Sequence, residues 1–261
     1  MDILNYNLDE LERWFLMMFR ITSMVMVIPF YGYNSIPVAI RVATAFFFTV
    51  LLFPLHPEIH LALNPGVVSF FGAVLREVVI GLAIGLVTTM IFYGVQFAGH
   101  VIGHTMGFAI VNVIDPQSQG HVPLLGQLFN LLVLMFFILL GGHHFLLMAI
   151  DESFLQIPIG TGSFNPLIVE GFARLSSDIF LLGIKFGAPV LVAILVTEIA
   201  LGFIARTVPQ MNVWLIGFPL KIGIGLLLLA LSLPMFWYMF GKMYGPWQSN
   251  IVDFIRAFTS G

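Results

Sequence analysis

Apolar residues run in six long stretches, near 14–30, 36–55, 67–113, 122–150, 178–205 and 212–241. A helix needs about 20 apolar residues to cross a bilayer, so the pattern accommodates six spanning-length segments, the third unusually long. Two runs, 78–114 (37 residues) and 116–150 (35 residues), contain no Asp, Glu, Lys or Arg, and Asp115 alone separates them. Turn-forming residues cluster at 29–37, 54–65, 115–123, 158–166 and 209–219. No period-two alternation is sustained, which argues against an outer-membrane barrel. The pattern predicts an all-α fold of membrane-type, kinked helical hairpins. Asn7, with Glu10 three residues on, reads as a variant capping box opening a first helix through Trp14 and Phe19. Asp2, Asp9, Glu10 and Glu12 precede Arg13, unlike the basic start of a secretory signal. That helix is therefore expected to remain in the mature protein.

Several residues do not suit a simple bundle. Arg20, Arg41, Arg76, Glu77, Lys185 and Glu198 lie within or at the edges of apolar segments, where such residues usually face protein or water. Pro189 and Pro234 fall inside the last two segments and are expected to kink them. Two readings stay open: a bundle with a few inward polar groups, or a chain packed mostly against other chains. Composition sharpens the class. Of 261 residues 59% are hydrophobic and 9% charged, with a mean hydropathy of +1.03. A soluble domain carries roughly a quarter charged residues. The deficit excludes a soluble enzyme or a nucleic-acid binder, whose surfaces need charge, and the hydrophobicity excludes disorder. A net charge of −3 gives no reason to seek an anionic partner. With no cysteine there are no disulfides, thiolate metal sites or thiol nucleophiles. The ten Lys and Arg residues are scattered along the chain and none falls in the five turn clusters, so charge asymmetry assigns no orientation.

Glycine spacing points to close helix contacts. Gly81 and Gly85, Gly99, Gly103 and Gly107, and Gly183 and Gly187 recur at intervals of four, the small-xxx-small ridge that lets backbones approach. The 99/103/107 ladder is expected to exclude Cβ atoms from a facing backbone, within the chain or on a partner. Catalytic patterns are missing: no Walker A, HExxH or GxSxG occurs. Gly160 and Gly162 begin a GxGxxG in which Asn165 replaces the third glycine. His100 and His104 share a helical face and could hold a metal, but no acidic residue is near; His143 and His144 are adjacent and diverge by about 100° on a helix. Hydrogen-bonded histidines in a bundle are the plainer reading. The segment from Met106 to Gln127, MGFAIVNVIDPQSQGHVPLLGQ, interrupts the uncharged stretch with Asp115, Pro116 and Gly120. Phe108, Ile110, Val111, Val113 and Ile114 make it too apolar for free exposure to water. It is either an ordinary turn between spans or a re-entrant element at a pore, since irregular backbone survives in a membrane only against protein or a wet cavity.

The most specific stretch is GFIARTVPQMNVWLIGFPLK at 202–221, bracketed by Arg206 and Lys221 and carrying Pro209, Gln210, Asn212, Gly217 and Pro219. With GGHHF at 141–145, MGF and DP within 106–116, and Ser153, Phe154 and Pro158, it closely resembles the FliR family. This is the flagellar type III export-gate family whose injectisome counterpart is called SctT. The resemblance runs from the first helix to about residue 245.

The resemblance implies a fusion-like fold, residues 1–175 similar to a FliP subunit and 176–261 similar to a FliQ hairpin. It implies one copy in a helical gate with five FliP and four FliQ, wrapped by FlhB above FlhA. Such a gate sits in the bacterial inner membrane at the flagellar basal body, largely on the periplasmic side. The family's loop between the two longest uncharged stretches enters the channel and helps plug it. That role carries over to Met106, Gly107, Phe108, Ile110, Val113, Ile114, Asp115, Pro116, Gly120 and Gly126. The cargo would be unfolded export substrate, and the chain, with lipid around it and no cofactor, metal or nucleic acid, would catalyse nothing. The stretch 206–221 would form an ordered polar crossover between the hairpin helices, with Arg206 and Lys221 near carboxylates of neighbouring chains. Two other classes compete. A small-solute transporter would explain intramembrane charge and broken helices, although the two halves lack a matching pair of Gly/Pro-interrupted segments. A histidine metalloenzyme would require a third ligand.

Overall fold

A computed structural model describes residues 8–28, 36–56, 67–108, 124–210 and 212–259. Among these residues every regular element is helical: α1 (Leu8–Val27), α2 (Val38–Leu52) with a 3-10 turn (Phe53–Leu55), α3 (Val67–Met106), α4 (Leu124–Leu139), α5 (Gly142–Gln156), α6 (Pro166–Thr207) and α7 (Val213–Ala257). The ends follow local chemistry. Pro37 stands at the N-cap of α2. Asn165 accepts from the Ile168 amide at 3.3 Å ahead of Pro166, whose absent N–H would be unpaired in a first turn anyway. Asn212 serves Leu215 likewise at 3.4 Å. The Asn7–Glu10 capping box involves Asn7, which lies outside the described residues.

Among the described residues four helical stretches are long and apolar enough to cross a membrane: Val38–Leu55, α3, α6 and Leu215–Ala257. A bent α4–α5 pair makes a fifth, against the six expected. The stretch at 14–30 drops out because α1 carries Glu10, Glu12, Arg13 and Arg20. The stretch at 122–150 divides at Gly141, whose φ of +75° is cheap only for glycine, and the two helices meet at 74°. Helix α6 continues through Pro189, and α7 through Pro219, Pro234 and Pro246. Each proline loses one backbone bond, whereas ending a helix in apolar surroundings would strand several polar groups.

The chain separates into two compact units, each discontinuous: Met1–Met90 with Gly141–Leu175 and Pro246–Gly261, and Ile91–Leu140 with Ser176–Gly245. In the first, α1 buries Leu16, Met17, Ile21, Met24 and Val25, spaced as one helical face. Gly81 and Gly85 of α3 lie against the α1 backbone, and a Cβ at 81 would run into the Arg20 carbonyl. Arg20 and Glu77, both 0% exposed, form an ion pair at 2.5 Å. Arg20 Nη1 also donates to the carbonyls of Ser153 and Ile157 at 2.8 and 2.9 Å, and its guanidinium lies 4.6 Å from the Phe154 ring. The other Glu77 oxygen accepts from the Gly160 amide at 2.8 Å, and Arg76 donates to the Gly160 carbonyl. The pair thus joins α1, α3, the end of α5 and the loop after it. His56 meets Asp151 at 2.8 Å nearby, an ion-pair geometry if the imidazole is protonated. Asn165 Nδ2 and Ser163 Oγ hold the carbonyls of Ala257 and Phe258 at 2.8 and 3.0 Å, fastening the last turn of α7.

The second unit is packed by aromatic rings. Phe129 and Phe186 flank Phe236 with centroids at 5.5 and 5.9 Å, and Phe92 meets Phe137 edge-on at 5.1 Å. In α3, 67% of the most apolar part is buried, against 28% in α6 and 22% in Leu215–Ala257. Helix α3 is the core helix, and α6 and α7 keep most of their apolar surface outward.

Removing one member of a buried pair leaves the other charge uncompensated. Glu77→Gln should therefore destabilise the protein by about 3–5 kcal/mol, read as a lower thermal unfolding temperature in detergent. The double variant Arg20→Met, Glu77→Leu should recover most of that loss. A Glu77→Gln protein as stable as wild type would contradict a desolvated pair.

Candidate functional site

Helix α3 ends in a Schellman cap. Gly107 has φ +91°, its amide donates to the His104 carbonyl at 3.1 Å, and the Phe108 amide reaches back to the Gly103 carbonyl at 3.1 Å. Only glycine takes that conformation without strain, so the chain leaves the helix at a fixed point and direction. The next described helix, α4, begins at Leu124. The first turn of α4 is pressed on α3: a Cβ at Gly99 would stand 2.6 Å from the Leu125 carbonyl oxygen and 2.9 Å from Gly126 Cα. The His100 ring lies over Gly126, whose Cβ would meet Nε2 at 2.9 Å. Residues 109–123 are therefore bounded by two helix ends locked together.

Helix α7 joins this neck. A Cβ at Gly107 would come within 2.6 Å of the Phe218 ring, and one at Gly225 within 2.5 Å of Met106 Cε. Met106 itself is fully buried. The structure thus brings Met106, Gly107, Phe108, Gly126 and Gly99 together with the Gly217 region. Ile110, Val113, Ile114, Asp115, Pro116 and Gly120 lie outside the described residues. The glycine ladder needs a correction. A Cβ at Gly103 would meet the Leu125 side chain at 3.5 Å, ordinary contact rather than a facing backbone, and Gly107 is a cap rather than a ridge position. A ladder at intervals of four drifts around a helix of 3.6 residues per turn, so only Gly99 faces the crossing.

The expected crossover at 206–221 is also shorter. Helix α6 runs to Thr207 and α7 begins at Val213, so Gly217, Pro219 and Lys221 are helical rather than in the turn. Gln210 and Pro209 are exposed in the turn, and Asn212 caps α7. The Arg206 side chain is exposed, with no hydrogen bond or ion pair to a described residue. Lys221 pairs with Glu198 within the chain. Antiparallel helices joined by a tight turn place that lysine beside α6.

Chemically the site is mechanical. Among the described residues no three His, Asp, Glu or Cys gather as metal ligands. His100 and His104 are both exposed, and the His143 and His144 rings, also exposed, lie 4.1 Å apart at the start of α5. Sequence reasoning passed over Leu125, Phe218 and Gly225. No local signal marks them, since each acts through a residue more than twenty positions away.

Residues 11–246 match the model of the family described as bacterial export proteins, family 1. The chain is 32% identical to the flagellar biosynthetic protein FliR of Bacillus subtilis (strain 168), covering 88% of this chain and 89% of that protein. It is 30% identical to FliR of Aquifex aeolicus (strain VF5), covering 93% of each, and 29% identical to FliR of Escherichia coli (strain K12), covering 87% of each.

Gly99→Val should force α4 away from α3 and destabilise the protein by about 1–3 kcal/mol, whereas Gly103→Ala should be close to neutral. Thermal unfolding of both variants in detergent checks the contrast. Equal behaviour would mean that the Gly99 approach is not close.

Proposed function

The chain belongs to the bacterial export proteins, family 1, and from that premise we propose that it is a structural pore subunit of the flagellar protein export gate in the bacterial inner membrane. The observation that carries the reading is the locked neck, where an apolar segment of fifteen residues (109–123) springs from the Gly107 cap and the Gly99–Leu125 crossing. In this reading the segment lies in a channel, and its side chains seal against neighbouring subunits. The seal rests on dispersion contacts of about 0.1–0.2 kcal/mol per atom pair. Such a seal excludes small solutes collectively, yet yields to an entering chain because no strong ionic contact must break.

The neck adds a requirement of its own. A plug that moves with each unfolded substrate needs ends that do not, and glycine-mediated backbone contact supplies rigidity without charge. FliP, FliQ, FlhB and FlhA are the partners in this reading, with residues 1–175 in a FliP-like role and 176–261 in a FliQ-like one. The outward apolar faces of α6 and α7 suit lipid or such helical neighbours. The chain provides a passage, and catalysis is not part of its role.

Deleting residues 110–119 should leave the gate assembled but leaky to small solutes, and enlarging Val113 to Phe should slow export. A conductance or solute-leak assay on cells expressing the deletion, with complex assembly followed in parallel, makes the test. An assembled deletion complex as tight as wild type would place the seal elsewhere.

A further inference from the structure

Helix α6 has two faces. Gly183, Phe186, Val190, Ile194 and Leu201 are buried along one of them, and a Cβ at Gly183 would run into the Phe97 ring of α3. Leu181, Ile184, Val192, Leu195 and Ile199 follow the opposite face, each 49–60% exposed. At about 100° per residue Lys185 falls within that outer stripe, four residues after Leu181 and seven before Val192. Its side chain is exposed, with no hydrogen bond or ion pair to a described residue. It is also the only charged residue from 179 to 197. The next charges along α6, Asp178 and Glu198, stand about 10 and 20 Å away along the axis.

Neither water nor hydrocarbon suits such a stripe. Water would leave a long apolar face uncovered. Hydrocarbon would penalise the ammonium, and Asp178 lies farther along the helix than a lysine side chain extends. An apolar helix that brings one carboxylate satisfies both demands, and a stripe of residues three and four apart is the ridge a second helix packs against. We propose that this face of α6 docks an apolar helix of a different polypeptide, with Leu181, Val192 and Leu195 against its apolar residues and Lys185 Nζ donating to one Asp or Glu upon it. The demand is the same inside the bilayer and beyond it, so the docking depends on no membrane level. It uses neither the neck nor residues 109–123, and it stands or falls separately from the channel reading.

Dispersion contacts accept many apolar helices, whereas the single buried charge accepts only one that supplies its counterion, which makes Lys185 the residue that selects the partner. The test uses the full-length chain in the membranes of its own cells, with photoreactive p-benzoylphenylalanine at position 181 or 192. Irradiation should join it to one other polypeptide, at a helix that carries Asp or Glu near the attachment point. Lys185→Glu should lower that adduct by roughly tenfold or more, the scale of one lost charge-assisted hydrogen bond, and Lys185→Arg should keep it. Placing Lys at the partner's carboxylate should restore the adduct to Lys185→Glu. Lys185→Met should lower the adduct as well, while the unfolding temperature of the isolated chain in detergent stays unchanged or rises, which separates docking from folding. An adduct unchanged in Lys185→Glu overturns the proposal. So do adducts only with lipid or with a second copy of this chain, and so does a partner helix without a carboxylate.

Discussion

Helix α3 can touch α1 through one part of its length and α4 through another only because glycine stands at 81 and at 99. In a chain this apolar, burial alone does not tell one helix face from another, since lipid and protein interior offer a leucine much the same surroundings. Specific contact then has to come from shape. Two helices whose backbones approach until a Cβ would strike a carbonyl have one register, and sliding by a residue closes the gap. Gly183 repeats the device: a Cβ there would run into the Phe97 ring and stand 3.3 Å from the Gly94 carbonyl oxygen. The rest of the packing, including the Phe129–Phe236–Phe186 cluster, fills around crossings that glycine sets.

The Arg20–Glu77 pair is the polar counterpart of the same problem. Two fully buried charges 57 positions apart are held by three backbone groups as well as by each other. Taken from water, the pair gains little net stability over a matched apolar pair, but a displaced partner leaves a bare charge. It therefore penalises wrong arrangements of α1, α3 and the loop at Gly160 more than it rewards the right one. Gly81, one turn beyond Glu77, lets Arg20 come near enough for the bond to form. Shape and charge specify the same crossing.

In the proposed gate the division of stiffness matters more than total stability. The Schellman cap at Gly107, the Leu125 carbonyl against Gly99 and the Phe218 ring against Gly107 make a joint with few soft degrees of freedom. Family membership and the neck meet at one place: the loop the family resemblance assigns to the channel is flanked by the Gly107 cap and the Gly99–Leu125 crossing.

The sequence by itself determined the helical class, the apolar surroundings, the family and the position of the interrupting segment, because composition, hydropathy period and linear motifs are all local properties. It also singled out Arg20 and Glu77 as residues that lipid would not tolerate. Their pairing was beyond it, as were the Lys221–Glu198 bond within one chain, the break at Gly141 and the one member of the glycine ladder that faces another backbone. A ladder written every fourth position carries no information about which face meets a neighbour, and a charge in an apolar run does not name its partner. Proline was misleading for a related reason. Pro219 reads as part of a turn, yet α7 runs through it, because in apolar surroundings a continued helix leaves fewer backbone groups unpaired than a terminated one. Those decisions belong to the tertiary structure, where distance is set by packing and not by separation along the chain.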